Sequence, residues 1–253
     1  LMIRIILSGC NGRMGHAVAA IAEQYDAVIA AGVDRVIQPS ASFPIYQNIA
    51  EYTGDADVII DFSHVSALPS ILNYAVEKQI PAILATTGYQ PSDLAAVDEA
   101  AHHVPLFRSA NMSVGINLLA MLTKKAASIL GENYDIEIVE KHHNQKLDAP
   151  SGTALILADA ASSAFSEGRQ YVYDRHAVRK PRSKDEIGIH SIRGGTICGD
   201  HDVIFAGYNE VITLSHSVSS REVFASGALR AAQYMASVHE NRLYTMADVL
   251  GTL

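Results

Sequence analysis

IRIILSGCNGRMG, residues 3–15, joins a short aliphatic run to a loop that is rich in glycine. The aliphatic part is short and rich in Ile, which predicts a strand buried on both faces of a parallel sheet. After the loop, Met14, Val18 and Ile21 are spaced as on one face of a helix. Glycines at every third position between a strand and a helix let the backbone approach a pyrophosphate at the helix N-terminus. The stretch therefore predicts the start of a dinucleotide-binding fold.

The alternation of strands and helices continues to about residue 107 and then changes. Further strands are predicted at residues 28–33, 57–62, 80–85 and 104–107, with helices at 66–78 and 91–101. Beyond them the patterns predict a helix at 113–130, a strand at 135–140, a helix at 153–165, a long polar loop at 168–186, strands at 187–193, 202–206 and 210–217, and a helix at 222–238. Alternating elements predict a parallel sheet, whereas adjacent strands predict an antiparallel or mixed one.

The predicted fold class is α/β, with two domains. Residues 1–112, completed by 222–253, would form an N-terminal Rossmann dinucleotide-binding domain. Residues 113–221 would form a second, α+β domain built on a mixed sheet, for substrate binding and oligomerisation.

The amino-acid composition excludes several classes of protein and argues against some kinds of partner. The 253 residues are 49% hydrophobic and 18% charged, which excludes a disordered or collagen-like chain. The net charge of −8 argues against nucleic-acid and membrane partners. Two cysteines, Cys10 and Cys198, cannot form a disulfide framework and suggest a reducing compartment. Since no apolar run approaches the roughly 20 residues of a membrane span, we expect a cytoplasmic protein.

Polar residues at the ends of the predicted strands are the candidate cofactor contacts. Asp34 follows Gly15 by about 20 residues, where an acid would hydrogen-bond the adenosine ribose, and its neighbour Arg35 could meet a 2′-phosphate instead. Residues 85–88 (ATTG) and 109–112 (SANM) each follow a strand of the parallel sheet. Either segment could contact a nicotinamide or simply form a turn.

EKHHNQKLDAPSGTA, residues 140–154, concentrates acid–base and anion-binding groups. His142 and His143 titrate near neutrality, and Lys146 carries a charge and a transferable proton. The helix that begins after Pro150 offers backbone N–H groups to a carboxylate. A zinc site is disfavoured and no metal is expected, because no cysteine lies nearby and adjacent histidines on a strand point to opposite faces.

Together the three motifs resemble the dihydrodipicolinate reductase family, also called 4-hydroxy-tetrahydrodipicolinate reductase. The resemblance covers nearly the whole chain, from Ile3 to Leu250. It implies an oxidoreductase that uses NADH or NADPH to reduce the cyclic condensation product of aspartate semialdehyde and pyruvate. The product would be tetrahydrodipicolinate, on the route to diaminopimelate and lysine. It also implies a homotetramer joined through the sheets of the second domain.

The resemblance assigns roles to individual residues. His142 matches the family's catalytic histidine, and Lys146 matches its proton donor. The contacts to the dicarboxylate substrate would be His143, Lys146, Gly152 and Thr153. The cofactor contacts would be Gly9, Cys10, Asn11, Gly12, Arg13, Met14, Asp34, Arg35, Ala85, Thr86, Thr87, Ser109, Ala110, Asn111 and Met112.

Three positions depart from the family pattern, and two other functions remain open. Ala85 stands where many members have Gly, Met112 where an aromatic is common, and Asp34 where some members have Glu, so the cofactor preference stays open. Another two-domain nicotinamide dehydrogenase, acting on a sugar or an amino acid, would share the first domain. A redox-sensing nucleotide-binding regulator would need a basic DNA-binding module in addition.

Overall fold

The computed structural model describes residues 2–37 and 42–251. It separates into two compact units: the chain up to Val114 together with the chain from Glu222 onward, called unit 1, and Gly115–Arg221, called unit 2. The functions that the sequence analysis assigned to the two parts stay predictions.

The described residues form the following strands and helices. The strands are β1 (Ile3–Ser8), β2 (Ala27–Val33), β3 (Ile45–Tyr46), β4 (Val58–Asp61), β5 (Ala82–Leu84), β6 (Leu106–Arg108), β7 (Asp135–His142), β8 (Gln170–Val172), β9 (Glu186–Arg193), β10 (Gly199–Gly207), β11 (Glu210–Val218) and β12 (Leu243–Tyr244). The helices are α1 (Arg13–Ile21), α2 (Leu68–Lys78), α3 (Pro91–Ala101), α4 (Val114–Leu130), α5 (Gly152–Ser162), α6 (Glu222–Met235) and α7 (Met246–Leu250).

Unit 1 is a parallel sheet with helices on both faces, which confirms the predicted fold class. The strand order is β12-β6-β5-β4-β1-β2-β3. On β1, Ile5 and Leu7 pack into the core beneath α1 and α6, and Ile6 packs into the core beneath α2 and α3. A strand buried on both faces needs apolar residues at consecutive positions, which explains the uninterrupted aliphatic run.

The last long helix, α6, belongs to unit 1. Its residues Ala225, Ala228 and Leu229 are fully buried in the same core as β1. A Cβ on Gly227 would lie 1.7 Å from the carbonyl oxygen of Met112, so the helix can approach this backbone only with glycine there.

Unit 2 is built on a mixed sheet, as predicted. The strand order is β11-β10-β7-β9-β8, with β10 antiparallel to both of its neighbours and β9 parallel to both of its own. Buried and half-buried residues alternate along β7. Its buried set includes Ile136 and Ile138, which pack with residues of α4 and α5, and continues to Glu140 and His142. The strand period therefore brings two polar side chains onto the apolar, helix-packed face.

Three expectations about unit 2 and the helix ends are corrected. The predicted loop 168–186 contains β8, which pairs with β9 through its backbone although its three residues show no hydrophobic period. Arginines of that segment pair with acidic residues of the sheet, as Arg182 does with Asp135 and Glu137. The helices predicted to end at 165 and 238 end at Ser162 and Met235, and the chain continues as i,i+3 turns.

The expectation about apolar runs is also corrected. Residues Val114–Asn133 form one helical stretch that is long and apolar enough to cross a membrane, with a mean hydropathy of 1.2. Only 22% of the apolar window is buried, and Ile116, Leu119 and Ala127 are the apolar residues of this helix that lie buried in the core of unit 2.

Candidate active site

The glycine loop between β1 and α1 has no room for side chains at two of its positions. Gly9 has φ +78°, and a Cβ there would lie 2.6 Å from the carbonyl oxygen of Phe62. A Cβ on Gly15 would lie 2.3 Å from the carbonyl oxygen of Gly9. Only glycine permits this close approach of strand, loop and helix. The resulting cradle of backbone at the N-terminus of α1 fits a pyrophosphate.

The predicted ribose-binding acid is tied to this loop. The Asp34 carboxylate accepts a hydrogen bond from the backbone N–H of Asn11 at 3.0 Å, and Arg35 beside it is exposed. Cys10 is buried, and burial, reinforced by the negative charge of Asp34, raises the pKa of its thiol to about 11. Cys10 therefore stays a protonated thiol that packs under the loop, and it is a poor target for oxidation.

A cavity of about 350 Å³ lies in unit 1, beside the carboxyl ends of β4, β5 and β6. The two predicted nicotinamide segments meet here, together with residues that the sequence did not point to. The lining residues are Met14, Phe62, Ser63, Ala85, Thr86, Thr87, Ser109, Ala110, Asn111, Met112 and Phe224. The carboxylate of Asp61, fully buried at the end of β4, accepts hydrogen bonds from the hydroxyls of Ser63 and Thr86.

In unit 2, the fully buried carboxylate of Glu140 is the centre of a hydrogen-bond network. Oε1 accepts from the backbone N–H of Ser151 at 3.1 Å and from Arg193 Nη2 at 2.7 Å. Oε2 accepts from His142 Nδ1 at 2.6 Å and from Arg193 Nη1 at 2.7 Å. Burial by itself would raise the pKa of Glu140, but hydrogen bonds from Arg193, Ser191 and His142 outweigh it and hold the pKa at about 2. Glu140 is therefore ionised at neutral pH.

A second histidine completes this cluster. The rings of His142 and His201 meet edge to face, with centroids 5.2 Å apart, and His201 Nε2 lies 3.0 Å from the Ser151 hydroxyl. Burial, and then the neighbouring His142, lower the pKa of His201 to about 4. His201 is therefore neutral at neutral pH. No role for His201 follows from the sequence, because only the register of β10 against β7 places it opposite Glu140.

The predicted proton donor and carboxylate contacts lie in the segment after β7. Lys146 Nζ forms an ion pair with Asp148 at 2.7 Å, and this hydrogen bond holds the pKa of Asp148 below its usual range. The Lys146 backbone N–H bonds the carbonyl of His143. Gly152 begins α5, and the Ser151 side chain caps this helix by accepting from the N–H of Ala154 at 3.1 Å. Thr153 follows in the first turn, half-buried.

Comparison with known proteins identifies the family. Two family models match the chain: "Dihydrodipicolinate reductase, N-terminus" over residues 3–112, and "Dihydrodipicolinate reductase, C-terminus" over residues 115–250. The chain belongs to the dihydrodipicolinate reductase family.

Full-length relatives agree with this assignment. The chain is 52% identical over 251 residues to the 4-hydroxy-tetrahydrodipicolinate reductase of Caldanaerobacter subterraneus subsp. tengcongensis, covering 99% of both chains. It is 49% identical over 250 residues to that of Clostridium novyi, covering 98% of both. A structure of dipicolinate-bound dihydrodipicolinate reductase from Paenisporosarcina sp. TG-14 superposes with a TM-score of 0.80 at 23% identity, covering 98% of this chain and 99% of the other.

Membership of the dihydrodipicolinate reductase family establishes the reaction. The activity is that of a 4-hydroxy-tetrahydrodipicolinate reductase, an oxidoreductase of diaminopimelate and lysine biosynthesis. In this family the N-terminal domain binds NAD(P). The glycine cradle and the cavity of unit 1 are suited to such a cofactor.

Some residues of the network escaped the sequence analysis. Arg193 is 53 residues away from Glu140 in the sequence and lies within a stretch read only as a strand. The parallel register that pairs His142 with Arg193 brings the guanidinium to the carboxylate. A buried acid two positions before a histidine on one strand face was the available signal, because a buried carboxylate needs a cationic partner.

Proposed function

We propose that this reductase protonates its substrate from Lys146, with His142 assisting, and holds the substrate's carboxylates with His143, Lys146, Gly152 and Thr153. The observation that carries the proposal is the Glu140 carboxylate, which binds both the His142 ring and the backbone N–H of Ser151, the N-cap of α5. A proton-transfer group and a helix N-terminus are thereby held by one rigid partner.

The helix N-terminus supports the proposed carboxylate site. Its positive end attracts an anion, and Lys146 adds a full charge in the preceding loop. In the free protein that charge is paired with Asp148. A substrate carboxylate would replace Asp148 as the ion-pair partner of Lys146. The lysine would then have an anionic partner both in the free protein and in the complex. Dipicolinate, the molecule bound to the relative from Paenisporosarcina, is a dicarboxylate of this kind.

The cofactor would be held by unit 1. Gly9 to Met14 would contact the pyrophosphate, Asp34 and Arg35 the adenosine ribose, and residues 85–87 and 109–112 the nicotinamide. NADH or NADPH supplies a hydride from its nicotinamide C4 when it is bound. Because Asp34 favours ribose hydroxyls while Arg35 attracts a 2′-phosphate, both cofactors would be used, with a preference of no more than about tenfold.

The protein would act as a homotetramer in the cytoplasm. The large apolar side chains of Val211 and Ile212 on β11, and of Tyr208 just before it, are exposed on the described chain. Exposed apolar groups on a sheet edge are typical of subunit contacts. Light scattering of the purified protein tests the tetramer, and a monomer at micromolar concentration would contradict it.

The deciding experiment is a spectrophotometric assay with both cofactors. The substrate is generated in place by the upstream synthase from aspartate semialdehyde and pyruvate, and cofactor oxidation is followed at about 340 nm. We expect synthase-dependent oxidation of both NADH and NADPH. A panel of sugars and amino acids is the control for other dehydrogenase activities. No oxidation above the background without synthase would refute the proposal.

A further inference from the structure

We propose that Glu140 and Arg193 are positioning residues that lock His142 in the tautomer with the proton on Nδ1, so that Nε2 is the nitrogen that exchanges protons at the site. This inference rests on the role proposed above for His142 and specifies which of its atoms acts. Neither Glu140 nor Arg193 is proposed to touch substrate or cofactor.

The direction of the His142–Glu140 hydrogen bond follows from the partners of the carboxylate. An ionised carboxylate has only acceptor sites, and the guanidinium of Arg193 and the N–H of Ser151 have only donors to offer it. His142 Nδ1, at 2.6 Å from Oε2, must therefore carry a hydrogen. This holds whether the ring is neutral or charged. The proton that comes and goes is consequently the one on Nε2.

The surroundings of Nε2 agree with this assignment. A Cβ on Gly199, a buried glycine of β10, would lie 3.1 Å from Nε2 and 3.4 Å from Cδ2 of the same ring. The first of these contacts is tighter than those that carbon atoms normally make, and the second is at the limit of an ordinary van der Waals contact. Glycine at this position leaves the space next to Nε2 open, whereas Nδ1 is enclosed by Glu140. Nδ1 is thus fixed by its hydrogen bond to Glu140, and Nε2 is the nitrogen that is free to exchange a proton.

Arg193 links the same network to Lys146. Its Nη2 also donates to the carbonyl of Asp148 at 2.6 Å, and Asp148 is the ion-pair partner of Lys146. The backbone N–H of Gly194, the next residue, donates to the carbonyl of His142 at 2.9 Å. The end of β9 therefore supports both proposed acid–base residues, while Glu140 also anchors Ser151 at the start of α5.

Replacing Glu140 by glutamine sets an amide NH₂ against hydrogen-bond donors, and among Arg193, the Ser151 N–H and His142 only the histidine ring can change from donor to acceptor. The amide keeps one acceptor oxygen and places an NH₂ group where the second oxygen accepted hydrogen bonds. Because Arg193 contacts both oxygens, the NH₂ opposes one of its N–H groups in either orientation, and in the Oε1 position it also opposes the backbone N–H of Ser151. Facing His142, it can donate to Nδ1 if the ring changes to the tautomer with the proton on Nε2. E140Q should therefore invert the tautomer of His142.

Nitrogen-15 NMR of the histidine rings tests this in the substrate-free protein. At about pH 8.5, where imidazole is ordinarily neutral, the signals of His142 are assigned from their loss in His142→Asn. We expect a protonated Nδ1 and an unprotonated Nε2 in the wild type, the reverse in E140Q, and the wild-type pattern in E140D. A wild-type ring protonated on Nε2, or an unchanged tautomer in folded E140Q, would overturn the proposal. The wild-type measurement needs no variant, so it decides even if E140Q does not fold.

Steady-state kinetics supply the second readout. In E140Q, kcat should fall roughly 100-fold or more, as when a catalytic histidine is held in the wrong tautomer, while the Kd for NADPH stays within about twofold. Gly199→Ala crowds the Nε2 side of the ring and not the Nδ1–Glu140 contact, so it should lower kcat while the ring keeps its proton on Nδ1. Normal kcat in an E140Q protein with the inverted tautomer would overturn the claim that Nε2 must be unprotonated. Because the tautomer is measured without substrate, a failure of the proposed reaction would not be mistaken for a failure of the lock.

Discussion

Thr86 Oγ1 donates a hydrogen bond of 2.8 Å to the buried carboxylate of Asp61, which joins the end of β4 to the turn after β5. The other oxygen of Asp61 accepts from the backbone N–H and the hydroxyl of Ser63. All the side-chain hydrogen bonds described for this carboxylate thus come from residues that line the unit 1 cavity. Asp61 therefore positions two residues that line the cavity, although Asp61 itself does not line it.

Thr86→Val should weaken cofactor binding and destabilise unit 1. Valine has nearly the same shape but removes one donor from a buried carboxylate, which costs about 1–3 kcal/mol of unfolding free energy. The Kd for NADH should rise several-fold because the turn after β5 loses its tether. Urea unfolding and calorimetric titration measure the two effects. Thr53→Val, an exposed threonine in the same unit, is the control, and equal effects of both changes would contradict the prediction.

Asp34 and Arg35 should have unequal roles in cofactor choice. Arg35→Ala removes only an exposed cation, so it should weaken NADPH binding about tenfold and leave NADH within about twofold. Asp34→Ala also removes the acceptor for the Asn11 N–H, so it should weaken both cofactors by disturbing the glycine loop. Calorimetry with both cofactors on both variants checks this. If Asp34→Ala improved NADPH binding, charge repulsion would outweigh loop positioning.

Lys146→Ala should lower kcat about 100-fold or more, because it removes the proposed proton source. It should also raise the KM for substrate, since a carboxylate contact is lost. Thr153→Ala keeps its backbone N–H at the start of α5 and is the matched control, with a small effect on both constants. The affinity for NADPH should be unchanged in both variants. Near-normal kcat in Lys146→Ala would mean that the proton comes from another group.

Stability should fall in mild acid because of His201. Its folded-state pKa of about 4 lies below the value of 6.5 for an unperturbed histidine, so the unfolded chain binds the proton more readily between these pH values. The contribution of neutral His201 to the free energy of unfolding is complete above about pH 6.5. It is lost as the pH falls toward 4, and the loss is at most about 3 kcal/mol. Urea unfolding at a series of pH values should show a flatter profile for His201→Asn than for the wild type. Parallel profiles would contradict this prediction.

The sequence predicted the elements that have a strong hydrophobic period and missed those held by backbone pairing alone. β1, α2 and β7 were located because burial on one or both faces imposes a residue pattern. The two-residue strands β3 and β12, and the three-residue β8, have too few side chains to show any period. They exist because longer neighbouring strands offer unpaired backbone groups.

The candidate site also has one part that the sequence predicts and another part that it does not. The segment from Glu140 to Thr153 is continuous in the sequence, so its chemistry could be read directly. Arg193 and His201 come from other strands, and their distance from Glu140 depends on sheet register, which a single sequence does not specify. Asp61 was visible only as the residue before the end of the predicted strand 57–62.

The packing of α6 on unit 1 has a consequence for the order of folding during synthesis. Ile5, Leu7 and Ile60 share a core with Ala228 and Leu229, so part of this core lacks its cover until those later residues leave the ribosome. Unit 2 is continuous in the chain from Gly115 to Arg221, and all of it emerges earlier. We therefore expect unit 2 to reach its native state first. The N-terminal part of unit 1 can complete its core only after α6 has been synthesised, which reverses the usual order of folding from the N-terminus.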